Sequence, residues 1–432
     1  MVTGEIPLSG TVEIQGSKNS VLPMMAAALL HEGNTILHNC PYIADVYVMI
    51  AILESLGVKT MWQGHTLRLD CHCITNQRII EKNAGRMRSS IILLGSMLNR
   101  ERRIEIGMPG GCVIGKRPID LHIYALQKMG ASVNVMNHQI VAEAPMGLKG
   151  ADITFTKASV GATENALLAA VKAKGVTYLH NCSIEPEIFH LCCFLKTMGA
   201  NITGIGTSEL RIEGVTGLHD IEYWVPADRI VAGTYLFGAA ITRGSIILNH
   251  APVLEMDAVL EVYEKMGGQW EYNGGKLMAD ASRIQNPISY IQTGGYPGFP
   301  TDLQSLLLAV LLTIPGISCM KETVFEQRFQ VIQELISMGA RIQMSGNEVR
   351  IAGGYPLYGK QVNAKELRGG AALVLAGLAA EGTTIIKNAH FIKRGYQAIE
   401  KDLKKLGAQI KVEEEQEIYE ETSFENSADR KR

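Results

Sequence analysis

Ile332-Gln333-Glu334-Leu335-Ile336-Ser337-Met338-Gly339-Ala340-Arg341-Ile342-Gln343-Met344 reads as an amphipathic helix, a glycine stop and an alternating strand. Gly339 suits the C′ position, where a helix ends in a left-handed residue. The same Leu/Met-Gly step recurs as Leu56-Gly57, Met129-Gly130, Met198-Gly199, Met266-Gly267 and Leu406-Gly407, so six copies lie 73, 69, 68, 72 and 68 residues apart. A fixed period of this length marks a repeat architecture.

Between the glycines lies a second recurring stretch, a short helix of small apolar residues. Its copies contain Met24-Met25-Ala26-Ala27-Ala28, Ile91-Ile92-Leu93-Leu94, Ala166-Leu167-Leu168-Ala169-Ala170, Leu236-Phe237-Gly238-Ala239-Ala240, Leu306-Leu307-Leu308-Ala309-Val310 and Leu373-Val374-Leu375-Ala376-Gly377. A helix apolar on every side is buried. Strands such as Thr35-Ile36-Leu37, Thr177-Tyr178-Leu179, Ser245-Ile246-Ile247 and Thr383-Thr384-Ile385-Ile386 follow. Each unit therefore reads strand, helix, strand, amphipathic helix, strand, strand. Three such units around their buried helices make one α/β domain, and six make two. The boundary is expected near Tyr223 to Asp228. The acidic tail from Glu413 is expected to fray.

The 432 residues are 47% hydrophobic, 6% aromatic and 19% charged. That excludes a disordered chain. Lys+Arg 41 against Asp+Glu 43 argues against broad nucleic-acid or membrane binding. The N-terminus lacks a secretory pattern, and Leu306 to Ile314 is too short to span a bilayer. The eight cysteines include no C-x-x-C pair. Cys71-His72-Cys73 has strand spacing, with both thiols on one face, and makes a poor zinc site. A cytoplasmic protein with reduced thiols is expected.

The buried helices begin with polar residues: Ser17-Lys18-Asn19, Arg86-Met87-Arg88, Ser159-Val160-Gly161-Ala162-Thr163, Asp228-Arg229, Thr301-Asp302 and Arg368-Gly369-Gly370. Asp228 and Thr301 read as ordinary N-caps. Lys18, Arg88, Arg229 and Arg368 do not, because a cation opposes the positive helix end. Cations there imply a bound anion. Arg328, in Val324-Phe325-Glu326-Gln327-Arg328, and Arg394, in Ile392-Lys393-Arg394, occupy matching places in units five and six. A solvated charge is the commoner fate of a lone arginine. Acidic Glu185-Pro186-Glu187 holds the matching place in unit three and could answer cations across a cleft.

Pro109-Gly110-Gly111-Cys112-Val113-Ile114-Gly115-Lys116-Arg117-Pro118 is P-loop-like from Gly110 to Lys116, but Arg117 stands where magnesium binding needs Ser or Thr. A nucleoside triphosphatase is excluded. A glycine-flanked thiol beside two cations remains, which favours thiolate and a mobile catalytic lid.

Together with Phe299-Pro300-Thr301-Asp302 and Glu322-Thr323-Val324-Phe325-Glu326-Gln327-Arg328-Phe329, these motifs resemble the enolpyruvyl transferases from about Gly10 to Val412. The cysteine loop sets the chain apart from the shikimate-pathway relative. The resemblance implies two inside-out α/β domains, each of three pseudo-symmetric units: residues 19–226, and 1–18 plus 227–412, with 413–432 as the tail. It implies transfer of enolpyruvyl from phosphoenolpyruvate to the 3′-hydroxyl of UDP-N-acetylglucosamine, releasing phosphate, with no metal or organic cofactor. By the same resemblance, Lys18, Arg117 and Arg394 hold the phosphate. Arg328 and Arg368 lie near the small substrate, and Arg88 and Asn19 complete the site. Asp302 is the base and Cys112 the acid, also open to a covalent adduct and to fosfomycin. Arg117, Pro118, Ile119, Asp120 and Leu121, then Lys157, Ala158, Ser159 and Val160, and Val324 match UDP-sugar contacts. The chain departs from the family at Ala44, Glu366 and Lys393, and Met1 to Pro7 looks shortened, without a clear first strand. The departures motivate a second reading, a non-catalytic UDP-sugar-binding paralogue serving as regulator or scaffold. Oligomeric state is not legible.

Overall fold

The computed structural model describes residues 1–111 and 114–413. The six stop glycines, Gly57, Gly130, Gly199, Gly267, Gly339 and Gly407, all have φ between 91° and 110°. No other residue type adopts that region as cheaply. Each ends an outer helix: Ala44–Leu56, Asp120–Lys128, Pro186–Thr197, Asp257–Lys265, Ile332–Ser337 or Ile399–Lys405.

The described residues form six four-stranded sheets. In five of them a parallel strand pairs with the strand after the core helix, which pairs with an antiparallel hairpin. The core helices are Lys18–Ala27, Leu93–Arg100 with its lead-in Arg88–Ile92, Val160–Ala170, Arg229–Thr242, Gln304–Leu312 with its lead-in Thr301–Leu303, and Leu367–Ala379. Gln304–Leu312 is buried along its whole length. Such helices give up all contact with water, and each buried Leu contributes about 1.5–3 kcal/mol. The fold is that of two inside-out α/β bodies with helices inside and sheets outside.

Their buried apolar residues form two clusters. One runs from Val21 to Val225. The other takes Val2, Leu8, Val12 and Ile14 from the N-terminus and continues from Ile230 to Ala408. The chain passes between the cores twice, and the two passages lie side by side. Gly16 bridges Ala227, Ser17 N–H donates to Pro226 O (2.7 Å), and Asp228 N–H donates to Gln15 O (2.9 Å). A Cβ on Gly16 would lie 1.9 Å from Asn39 O, so only glycine fits this crossing.

Two expectations change. The N-terminus does supply a strand: Val2–Thr3 inserts between Thr383–Lys387 and Gln409–Ile410, antiparallel to both. It takes the place that the second hairpin strand fills elsewhere. Two residues are too few to show alternation. Cys71 to Cys73 are not in a strand, which stops at Asp70. Cys71 is buried and Cys73 exposed, so the thiols do not share a face. No group of metal-ligating side chains occurs among the described residues. None of their helices is long and apolar enough to cross a membrane. The tail from 414 onward lies outside the described residues.

Candidate active site

Lys18 begins the first core helix, capped by Ser17, whose Oγ accepts from Ser20 N–H. Its own N–H donates to Asp228 Oδ2 (3.1 Å), tying one crossing to the next. Its Nζ lies 3.0 Å from Asp45 Oδ2. Arg394 grips the same carboxylate, Nε to Oδ1 at 2.8 Å and Nη2 to Oδ2 at 3.2 Å. Burial would raise the Asp45 carboxyl, but Lys18 and Arg394 outweigh it and hold it below the usual range. Asp45 is the first-turn acid of helix Ala44–Leu56.

A second centre surrounds Asp302. Arg328 Nη2 donates to Oδ1 (2.6 Å) and Arg368 Nη2 to Oδ2 (2.9 Å). Both arginines are buried, at 2% and 3% exposure, while Asp302 retains 27%. Burial again opposes ionisation, yet Arg368, Arg328 and then Lys18 hold the Asp302 carboxyl far below the usual range. Arg368 follows the capping residue Glu366, whose carboxylate accepts from Arg368 N–H (2.7 Å) and from Gly369 N–H. The longer acid therefore caps the helix.

A third group gathers around Arg88. Arg88 Nη2 donates to the carbonyls of Arg117 and Pro118, the latter at 3.0 Å. Burial, then Arg117, lowers Arg88 to about 10. Helices Asp120–Lys128 and Val160–Ala170 pack together: a Cβ on Gly161 would lie 3.1 Å from the His122 ring, and Asn165, in mid-helix, donates from Nδ2 to His122 Nδ1 (3.2 Å). Ser159 caps the second, accepting from Ala162 N–H (3.4 Å). Two adjacent helix starts favour an anion. Exposed Lys157 and Ala158 precede Ser159; Pro118 and Asp120 are exposed, Ile119 and Val160 half-buried, and Leu121 buried.

The segment that follows the cysteine joins these groups. Gln327 N–H donates to Ile114 O (3.0 Å). The Arg117 guanidinium lies 5.5 Å from the Phe325 ring centroid and that of Arg328 lies 5.8 Å from it. Exposed Val324 borders this contact, and Asn19 is half-buried beside Lys18. Cys112 lies outside the described residues.

Arg229 is paired with a carboxylate of the other core. Nε and Nη2 each donate to Glu187 across the two cores, both at 3.1 Å. The acidic segment of unit three thus answers this cation. Thr301 is not a cap; its hydroxyl donates to Glu322 Oε2 (2.9 Å). Asp45 and Glu322 were the carboxylates least legible as site groups. Asp45 had one signal, an acid in a first turn beside predicted cations.

His122 gives a stability prediction. Burial, reinforced by Arg88 and Arg117, lowers it to about 3. An unfolded histidine titrates near ~6.5. Between those values the unfolded chain binds more protons, so stability falls as pH drops through this window. His122→Gln should flatten that slope in urea midpoints measured from about pH 6.5 to pH 4. An unchanged slope would count against a neutral buried imidazole.

The family model described as EPSP synthase (3-phosphoshikimate 1-carboxyvinyltransferase) matches residues 2–403. The protein named UDP-N-acetylglucosamine 1-carboxyvinyltransferase 2 of Caldanaerobacter subterraneus subsp. tengcongensis is 42% identical over 95% of this chain and 98% of its own. That named UDP-N-acetylglucosamine 1-carboxyvinyltransferase of Acinetobacter baylyi is 40% identical over 95% and 98%. Among solved structures, the enolpyruvyl transferase NikO from Streptomyces tendae superposes with a TM-score of 0.84 at 23% identity, covering 94% of this chain and 97% of that one. EPSP synthase from Acinetobacter baumannii gives 0.72 at 17%, with the same coverage. At those identities the two structures speak for the fold alone. With a family model spanning nearly the whole described chain and full-length relatives near 40% identity, the chain belongs to the enolpyruvyl transferase (EPSP synthase) family, in its UDP-N-acetylglucosamine 1-carboxyvinyltransferase branch.

Proposed function

We propose that this enzyme transfers enolpyruvyl from phosphoenolpyruvate to the 3′-hydroxyl of UDP-N-acetylglucosamine and releases phosphate, the first committed step of peptidoglycan synthesis. The observation that carries the reading is the gathering of Lys18, Arg394, Arg328 and Arg368 around two ionised carboxylates at the crossing between the cores. Four cations suit a substrate with a phosphate and a carboxylate. Two adjacent helix starts, near Asp120 and Val160, suit a diphosphate. The two cores act as domains, 19–226 and 1–18 plus 227–412, that close on the substrates.

In this reading Lys18, Arg117 and Arg394 bind the phosphate, and Arg88, Asn19, Arg328 and Arg368 complete the site of the small substrate. Arg117 to Leu121, Lys157 to Val160, and Val324 bind the sugar nucleotide. Asp302 takes the proton of the attacking hydroxyl while its oxygen bonds to C2 of phosphoenolpyruvate. The thiol form of Cys112 delivers its proton to the methylene carbon, giving a tetrahedral ketal and leaving the thiolate. Loss of a proton from that methyl group and departure of phosphate restore the double bond. The seven described cysteines are free, which suits the cytoplasm. No observation favours the scaffold reading.

The test is phosphate release from phosphoenolpyruvate with and without UDP-N-acetylglucosamine. Release that depends on the sugar nucleotide is expected; binding of UDP-N-acetylglucosamine without release would instead support a scaffold. Fosfomycin, an epoxide phosphonate, should alkylate the Cys112 thiolate. Mass spectrometry should place the adduct on Cys112 alone, and an adduct on another cysteine would sink the assignment. Cys112→Asp should keep activity and lose alkylation if the residue serves chiefly as a proton donor.

A further inference from the structure

Glu322 directly follows the strand Gly316–Lys321 and is 2% exposed. No cation neutralises it among the ion pairs of the described residues. Four donors surround it instead. Oε1 accepts from Val324 N–H (2.7 Å), Phe325 N–H (3.1 Å) and Thr293 Oγ1–H (2.8 Å). Oε2 accepts from Thr301 Oγ1–H (2.9 Å). Three of these donors meet Oε1 and one meets Oε2. Burying a polar acid is costly unless it is hydrogen-bonded, and this one is held from three separate segments.

Those segments matter for the reaction. Thr301 immediately precedes Asp302, and its carbonyl accepts from Arg328 Nε (3.3 Å). Val324 borders the acceptor side, and the Phe325 ring lies beside Arg117 and Arg328. Asn347 Nδ2 in turn holds the Glu322 carbonyl (2.8 Å).

We infer that Glu322 is a positioning residue: through Thr301 it places Asp302, and through Val324 and Phe325 it places the acceptor wall, so one carboxylate fixes the gap between base and attacking hydroxyl. The inference rests on the enolpyruvyl-transfer reading. It makes a geometric demand with a kinetic consequence, because a shift of about 1 Å between base and hydroxyl costs about 10²-fold in rate.

Four variants test it. Thr301→Val keeps the shape and removes one donor from Glu322. Thr301→Ser keeps the donor. Glu322→Ala removes the whole hub, and Glu322→Gln keeps an acceptor oxygen for the two N–H groups and an amide that Thr301 Oγ1 can meet as acceptor. Thr301→Val should lower kcat about tenfold and Glu322→Ala about a hundredfold. Glu322→Ala should also raise KM for UDP-N-acetylglucosamine more than KM for phosphoenolpyruvate. Thr301→Ser should stay within about threefold of wild type and Glu322→Gln should recover most of the loss.

The acid limb of kcat, which reports the substrate-bound enzyme, supplies a readout that mere unfolding would not move. Asp302 is faced by Arg328, Arg368, Lys18 and, farther off, Arg229. If Thr301 no longer holds its backbone, the grip of Arg328 and Arg368 slackens. The acid limb in Thr301→Val should then move up by about half a pH unit or more. A loss uniform across pH and across both substrates, in step with a fall in folded protein, overturns the inference, as does wild-type behaviour of Thr301→Val. Absence of phosphate release in wild type run alongside would overturn the enolpyruvyl-transfer reading itself, and this inference with it.

Discussion

Asp302→Asn should lower the rate of UDP-N-acetylglucosamine-dependent phosphate release by about 10²–10⁴-fold, the range a general base contributes. The substitution is nearly isosteric, so substrate shape is preserved and the loss reports charge and proton affinity. It also leaves Arg328 and Arg368 buried without a counter-ion. Breaking a buried pair in this way costs roughly 3–5 kcal/mol. The sign of its pH dependence follows from the depressed carboxyl. The stability it contributes is fully present above the unfolded carboxylate value of about 3.9 and is lost as pH falls through the lower folded value. The stability gap between wild type and Asp302→Asn should therefore be widest at neutral pH and close in strong acid. A carboxylate gripped by two guanidiniums is a weak base. An incoming substrate anion that draws on Arg328 and Arg368 returns proton affinity to Asp302, so its basicity should appear only with phosphoenolpyruvate bound. An Asn variant within tenfold of wild type in single-turnover assays would remove Asp302 from the role of base.

The repeats were legible because each depends on local chemistry. A glycine at positive φ after an amphipathic helix, such as Gly339, and a helix apolar all round, such as Gln304–Leu312, are written in adjacent residues. The cations Lys18 and Arg368 were legible too, because a positive charge at a helix start calls for an anion, whereas Arg328 and Arg394 were marked only by their matching places in units five and six. Which anion answers each was not legible. Arg229 carries the same signature as Arg368, yet it meets Glu187, 42 residues away, while Arg368 meets Asp302, 66 residues away. Long-range pairing follows from how six units close on one another, which no local pattern encodes. The Val2–Thr3 strand was missed for a related reason. Its partners, Thr383–Lys387 and Gln409–Ile410, lie at the other end of the chain. The buried carboxylate of Glu322 shows the same limit, since its donors come from residues 293, 301, 324 and 325.

Asp45→Asn should tighten inhibition by inorganic phosphate and slow turnover together. In the wild type one carboxylate stands between Lys18 and Arg394 and meets both at 2.8–3.2 Å. Any phosphate that uses those cations competes with it. Removing its charge takes away a repulsion that, for unit charges about 4 Å apart at an effective dielectric near 20, amounts to about 4 kcal/mol before relaxation and screening. Even a third of that is about tenfold in affinity. The phosphate inhibition constant should therefore fall by about 10–100-fold, with KM for phosphoenolpyruvate falling alongside. The turnover number should fall as well, because tighter binding of a released product lengthens its stay and favourable ground-state binding does not lower the barrier. The double variant Lys18→Gln/Asp45→Asn removes one cation with the anion, and its phosphate inhibition should return towards wild type. That reversal separates electrostatics from misfolding, since a collapsed site would not regain a normal inhibition constant on losing a second charged group. If phosphate inhibits Asp45→Asn and wild type equally, Asp45 does not compete with the substrate for Lys18 and Arg394, and the phosphate subsite lies elsewhere among the cations.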